Sequence, residues 1–183
     1  MDWAPRSSAP ENIAAGAGPR PRHNWMKEKA MDGSNPRSTA KILGHPIHPM
    51  LVPFPIVFFI SAFATDLLFV VDGSPGWATA SKWLLGAGIA GAGLAALAGL
   101  TDFAGDRRIR ALPDAWMHMI GNVIAVALEA LSFFLRLGSV EVTTPGILLS
   151  GIAVAILAFT GWKGGELVFR HGVGVEAGRA GPR

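Results

Sequence analysis

Four apolar stretches, each close to the length that crosses a bilayer, constrain this chain more than anything else in it. They run from Leu51 to Val71, Trp83 to Thr101, Trp116 to Leu135 and Gly146 to Trp162, against the roughly 20 apolar residues that a helix needs to span a hydrocarbon core. A soluble bundle would carry polar residues at regular intervals on the outward face of each helix. The second stretch, from Leu84 to Leu100, carries none. The expected fold is an all-α integral membrane four-helix bundle, threaded up-down-up-down.

Half of the 183 residues are hydrophobic, and they are concentrated in blocks. Residues 1–41 hold Pro5, Pro10, Pro19, Pro21 and Pro36 among scattered charges, a composition that buries little and predicts a disordered tail. The short Trp25-Met26-Lys27 patch is read as part of that solvated tail. Residues 42–175 form the four-span domain and 176–183 a short C-terminal tail. The first apolar run starts near residue 50, so no cleavable signal peptide is expected and the first span serves as an uncleaved signal-anchor.

Lysine and arginine placement orients the spans. Seven cations precede the first helix (Arg6, Arg20, Arg22, Lys27, Lys29, Arg37, Lys41), Arg107, Arg108 and Arg110 separate the second and third, and Lys163, Arg170, Arg179 and Arg183 close the chain. Only Lys82 and Arg136 lie toward the other side. The positive-inside rule then places both termini in the cytoplasm of a bacterial cell, with the bundle in its inner membrane. The formal charge of +3 points to anionic lipid headgroups and away from nucleic acid, because the cations flank spans and no aromatic platform accompanies them.

Cysteine is absent, which excludes disulfides, thiolate metal sites, cysteine-held iron–sulfur clusters and c-type haem attachment. No P-loop, serine nucleophile elbow or HExxH zinc motif occurs. Gly86, Gly88 and Gly91 match a dinucleotide-binding spacing, but inside a span they lack the strand and the water-facing helix start that this motif needs. They read as packing residues. Gly88 with Ala92, Gly91 with Ala95, and Ala95 with Gly99 repeat small side chains every four positions, which lets a helix approach closely, within the chain or in a homo-oligomer.

Two polar constellations remain. On the third span His118, Asn122, Glu129, Ser132 and Arg136 fall near one line at about 100° per residue. This stripe should face the bundle interior, where Asp66 of the first span lies at similar depth and Arg136 is counter-ion to Asp66 or to Glu129. Together Asp66, Glu129, Ser132 and Arg136 read as a buried polar track, either a register lock or the track of a permease-like or scaffolding protein. The second constellation is cytoplasmic. His45 and His48 precede the first helix, His118 lies near the start of the third after an Asp114 cap, and His171 follows the fourth. Pro46 and Pro49 hold the preceding histidines extended. Neutral histidines at one depth predict a site for haem b or a divalent metal, with His48 and His118 as first choice and His171 and His45 beside them. Asp102, Glu166, Asn122 and Arg170 are the expected supporting groups. The Glu-x-x-His pattern of di-iron proteins is missing.

The segment Gly44-His45-Pro46-Ile47-His48-Pro49-Met50-Leu51-Val52-Pro53-Phe54-Pro55, followed by Asp66-Leu67-Leu68, Leu100-Thr101-Asp102-Phe103 and a closing run from Gly161-Trp162-Lys163-Gly164-Gly165-Glu166 through Arg170-His171-Gly172 to Val175, resembles a bacterial membrane family named domain of unknown function 2231. The resemblance covers about residues 42–175 and implies a four-span inner-membrane protein without an established activity. Members often carry a further histidine where this chain has Pro53, a departure that puts a shared cofactor site in doubt unless His48 serves it.

Overall fold

The computed structural model describes residues 35–138 and 142–175. Two short antiparallel strands, β1 (Lys41–Ile42) and β2 (His45–Pro46), lead into α1 (Ile47–Leu51) and α2 (Pro53–Asp72). After these come α3 (Pro75–Gly105), the short α4 (Arg107–Arg110), α5 (Pro113–Leu135) and α6 (Thr144–Phe169). The tight β1–β2 turn places Leu43 and Gly44 at positive φ, 50° and 83°, as a two-residue hairpin with right-handed strand twist requires.

Four helical segments are long and apolar enough to cross a membrane: Ile47–Asp72, Pro75–Gly105, Pro113–Leu135 and Thr144–Phe169. All exceed the apolar runs of the sequence, because helix continues through their polar ends. The connection expected from Asp72 to Lys82 shrinks to Gly73 and Ser74. Gly73 stops α2 in the left-handed conformation at φ 66°, Pro75 opens α3, and the Asp72 carboxylate accepts from Ser74 N and Trp77 Nε1. Proline suits a first helical turn, where its missing N–H costs nothing. For the same reason Pro113 opens α5 and Asp114 sits inside its first turn, not at the cap. Likewise α6 starts at Thr144, two residues before the apolar run, where Thr143 Oγ1 accepts from Gly146 N at 3.3 Å.

Inward-facing residues step alternately by three and four. On α3 they are Ala78, Ser81, Leu85, Gly88, Ala92 and Ala95, with Ala98 three residues further; on α6 they are Gly146, Ser150, Ala153, Leu157, Thr160 and, seven residues on, Leu167. This is the 3.5-residue seam of helices packed nearly parallel to one another. Contacts between α2 and α3 climb one helix as they descend the other: Asp66 lies at the level of Ser81, Phe59 against Gly88 and Pro55 against Gly91. A Cβ on Gly88 would stand 2.6 Å from the Phe59 ring, so the glycine is what lets these helices close. Gly86 in turn faces Phe133 of α5. The glycine-rich stretch is thereby spent on packing inside the chain, in mid-helix. Phe59, Ala62, Leu85, Ala92, Ala125, Ala153 and Leu157 make one core across all four spans. Val57, Ile60, Leu94, Leu97, Val123, Ile124, Phe134, Leu148, Ile152 and Phe159 point outward and are exposed, an apolar girdle suited to lipid.

The end of the bundle near His48 carries a strap. Of the predicted tail, residues 35–41 are ordered here, and Pro36 and Ser38 are buried. Asp102 of α3 accepts from Thr39 N at 2.7 Å, Ala40 N at 2.8 Å and Ser38 Oγ at 2.9 Å. Gly174 N donates to Pro36 O, tying the chain after α6 to the same strap. Trp25 and its neighbours, and residues 176–183, lie outside the described residues.

Candidate functional site

Two polar layers cross the core, one near each end. In the first, His48 of α1 turns its Nδ1 to the carbonyl of Ala95 on α3 at 2.8 Å. His118 of α5 turns its Nδ1 to the carbonyl of Thr160 on α6, also at 2.8 Å. A carbonyl only accepts, so each ring donates from Nδ1, and in its neutral form it would offer the Nε2 lone pair. The two rings face each other with centres 6.1 Å apart and planes at 87°. Glycine makes room for both. A Cβ on Gly99 would meet His48 Nδ1 at 2.8 Å, and one on Gly164 would meet His118 Cε1 at 3.0 Å. Each glycine lies four residues after the residue whose carbonyl accepts from the ring, Ala95 to Gly99 and Thr160 to Gly164, so the same slot is built once in each helix pair. Asn122 supports the second slot by donating to His118 O at 2.7 Å and accepting from Thr160 Oγ1 at 3.1 Å.

The other candidates at this end do not join the pair. His45 sits in β2, exposed, with its Nδ1 on Leu43 O. His171 goes to Asp114, Nε2 to Oδ2 at 2.9 Å, and Asp114 also binds Lys163 at 3.0 Å. Glu166 pairs with Lys163 at 2.6 Å and stands 3.9 Å from Arg170, while Asp102 is consumed by the strap. Neither carboxylate orients His48 or His118; backbone carbonyls do so. The expected four-histidine convergence is therefore two, and among the described residues no group of three or more His, Asp or Glu could hold a metal ion. His48 is also helical despite Pro49 after it. In the first turn of a five-residue helix proline blocks no existing hydrogen bond, and the bond to Ala95 outweighs the local preference for extension.

The second layer is ionic and closed. Arg136 grips Asp66 with both ends of its fork, Nη1 to Oδ1 at 2.5 Å and Nη2 to Oδ2 at 2.8 Å. Nη1 also reaches Ser81 Oγ at 2.7 Å and Nη2 reaches Ser132 Oγ at 2.8 Å, while the buried Nε has no hydrogen-bond partner among the described residues. Asp66, Glu129 and Ser132 are fully buried and Arg136 is 1% exposed. Of the two partners open to Arg136 in sequence, Asp66 takes the ion pair. Glu129 instead meets Ser150 Oγ at 2.9 Å.

Ser81, Ser150, Thr160 and the strap residue Ser38 were not singled out by sequence, and Gly99 and Gly164 were named there only for helix packing and as part of the closing motif. The three-and-four stepping of small and hydroxyl residues along α3 and α6 is the signal that would have found most of them, since such residues face inward wherever the seam is that regular.

Against this geometry the comparisons with known proteins fall into place. A family model described as "Predicted membrane protein (DUF2231)" matches residues 44–177. The chain belongs to this family. No curated protein and no solved structure matches it. In this member of the DUF2231 family the matched region opens at the β1–β2 turn and takes in both polar layers and all four spans. Pro53 is exposed at the start of α2.

Proposed function

We propose that this protein is a small haem b-binding membrane protein in which His48 and His118 would hold the haem iron. The observation that carries the reading is the facing imidazole pair with both Nδ1 atoms tied to carbonyls. Two imidazoles bound through Nε2 on opposite sides of one metal, at about 2.0 Å per metal–nitrogen bond and about 1.1 Å from nitrogen to ring centre, hold their centres about 6.2 Å apart. The separation of 6.1 Å fits. The donor count favours haem over a bare divalent ion: zinc takes four ligands and only two are present, whereas a porphyrin supplies four and asks two of the protein. When bound, haem supplies reversible one-electron transfer.

The chain's own contribution is to hold the ligands. The Ala95 and Thr160 carbonyls fix tautomer and ring orientation, Gly99 and Gly164 leave space for the rings, and the apolar girdle keeps the layer from water. The four spans are read as up-down-up-down in a bacterial inner membrane with both termini cytoplasmic, supported by the lysine and arginine distribution. That orientation places the histidine layer toward the cytoplasm, and anionic headgroups against Arg107, Arg108 and Arg170.

Expression with haem supply, purification in detergent and an absorption spectrum test the reading. The expected result is a Soret band with the sharp α and β bands of six-coordinate low-spin haem on reduction. Both His48→Ala and His118→Ala abolish that low-spin spectrum. Colourless protein, or an unchanged spectrum in either variant, rules the assignment out.

A further inference from the structure

The ionic layer contains a hydrogen-bond count that does not close unless Glu129 holds a proton. Three contacts run in series from the carboxyl group: Glu129 Oε2 to Ser150 Oγ at 2.9 Å, Ser150 Oγ to Ser132 Oγ at 3.0 Å, and Ser132 Oγ to the Gly146 carbonyl at 2.9 Å. Each hydroxyl has one hydrogen to give and the carbonyl has none. Two hydrogens cannot fill three contacts. A protonated Glu129 supplies the third, and the chain then runs in one direction, carboxyl to Ser150 to Ser132 to Gly146 O. The Arg136 Nη2 hydrogens do not change this count, because they arrive at Ser132 and Ser150 as donors and occupy only the oxygens' accepting sides.

A second observation agrees. Glu129 Oε1 is buried and has no hydrogen-bond partner among the described residues. A bare carboxylate oxygen in a layer surrounded by lipid is costly, while the carbonyl oxygen of a neutral acid is much less so. The charged groups around it give no other relief. Asp66 from α2 and Arg136 at the end of α5 neutralise each other. Among the described residues α3 and α6 bring Ser81, Ser150 and the Gly146 carbonyl to the layer, and none of these is charged.

We propose that Glu129 is a proton-binding site inside the bundle, exchanging its proton through Ser150 and Ser132 toward the start of α6. Proton movement along this series breaks and forms only O–H bonds: each hydroxyl passes on its hydrogen as it receives one, the hydrogen that leaves Ser132 goes to a solvent water at the start of α6, and the Gly146 carbonyl accepts a hydrogen bond without taking up the proton. Gly146 lies in the first turn of α6, four residues before Ser150, so the series ends about one turn from the carboxyl group, next to the α5–α6 connection. The proposal does not depend on haem.

Infrared spectroscopy of the full chain reconstituted in liposomes tests it. The expected spectrum at neutral pH has a C=O stretch of a protonated, hydrogen-bonded carboxyl group that shifts in D2O and is absent in Glu129→Gln. In Ser150→Ala, which keeps the carboxyl group, the band moves to higher frequency as its hydrogen bond is lost, and its shift in D2O slows at least tenfold. Absence of the band, or its survival in Glu129→Gln, overturns the proton site. Exchange in Ser150→Ala as fast as in the native chain overturns the path.

Discussion

The two polar layers are built from opposite materials. In the histidine layer each ring gives its Nδ1 to a main-chain carbonyl; in the ionic layer Arg136 and Asp66 close a two-point ion pair ringed by serine hydroxyls. Yet both occupy equivalent places. From His48 to Asp66 and from His118 to Arg136 the separation is 18 residues in each case (66 − 48 and 136 − 118), five turns of helix or about 27 Å. The two helix pairs thus repeat one plan, a histidine near one end and a charged residue five turns on, and the partners meet across the interface between the pairs. What differs is the consequence of meeting. Two imidazoles frame a place for a ligand, whereas Asp66 and Arg136 close on each other and hold the pairs in register.

The largest effect expected from this contrast is on the ionic layer. Asp66→Ala leaves the Arg136 guanidinium buried without its counter-ion, a loss of about 3–5 kcal/mol, visible as aggregation or a collapsed yield of monodisperse protein in detergent. Replacing both partners by apolar residues of similar size, Asp66→Leu with Arg136→Met, recovers most of that loss. If the single and double variants behave alike, the pair is not what locks the bundle. In the histidine layer, His118→Ala costs only about 1–2 kcal/mol, the scale of one hydrogen bond and some packing, and thermal unfolding of the cofactor-free protein reads it. A loss as large as that of Asp66→Ala would erase the distinction between the layers.

Gly99→Ala and Gly164→Ala sharpen the comparison further. Each adds a methyl group against an imidazole, at 2.8 and 3.0 Å, and should lower haem occupancy several-fold with little change in fold, measured as the ratio of Soret to protein absorbance. Gly93→Ala, where a Cβ meets nothing within 4 Å, is the control and leaves the ratio unchanged.

The smallest effect concerns the loop beyond the histidine layer. The Arg108 side chain hydrogen-bonded to Asp106, with help from the backbone N–H of Arg37, holds the Asp106 carboxyl well below the usual carboxylate range. A folded-state pKa below the unfolded one contributes stability that is full above the unfolded value, about 3.9, and fades as pH falls through the lower folded value. Melting temperature should therefore drop a little more steeply on acidification below pH about 4 in the native chain than in Asp106→Asn. Equal slopes would remove Asp106 from the account.

Span number and the inward stripe of α5 were legible in sequence because each depends on one helix alone: apolar length fixes the first, and a 3.6-residue period fixes the second. The fate of the histidines was not. His48 and His171 both border helix ends near aspartates, and nothing in their spacing tells that one finds a carbonyl on α3 and the other a carboxylate on α5. That depends on which pairs of helices pack and on where glycine opens a slot. The helix ends were misjudged for a related reason, since apolar runs mark the hydrocarbon core while Pro75, Thr144 and Phe169 mark where backbone hydrogen bonding starts and stops. The second carboxyl group of the core, Glu129, stood out as costly, but its hydroxyl partner on α6 was hidden in a run that reads as plain membrane helix.

Because the acceptors that hold His48 and His118 are main-chain oxygens, no side chain at positions 95 and 160 decides which ring nitrogen is left bare. Those positions can drift in evolution or in the laboratory without changing the chemistry offered between the rings. The vulnerable positions are the two glycines one turn further along, where acquiring any side chain would evict an imidazole that the helix backbone had already oriented.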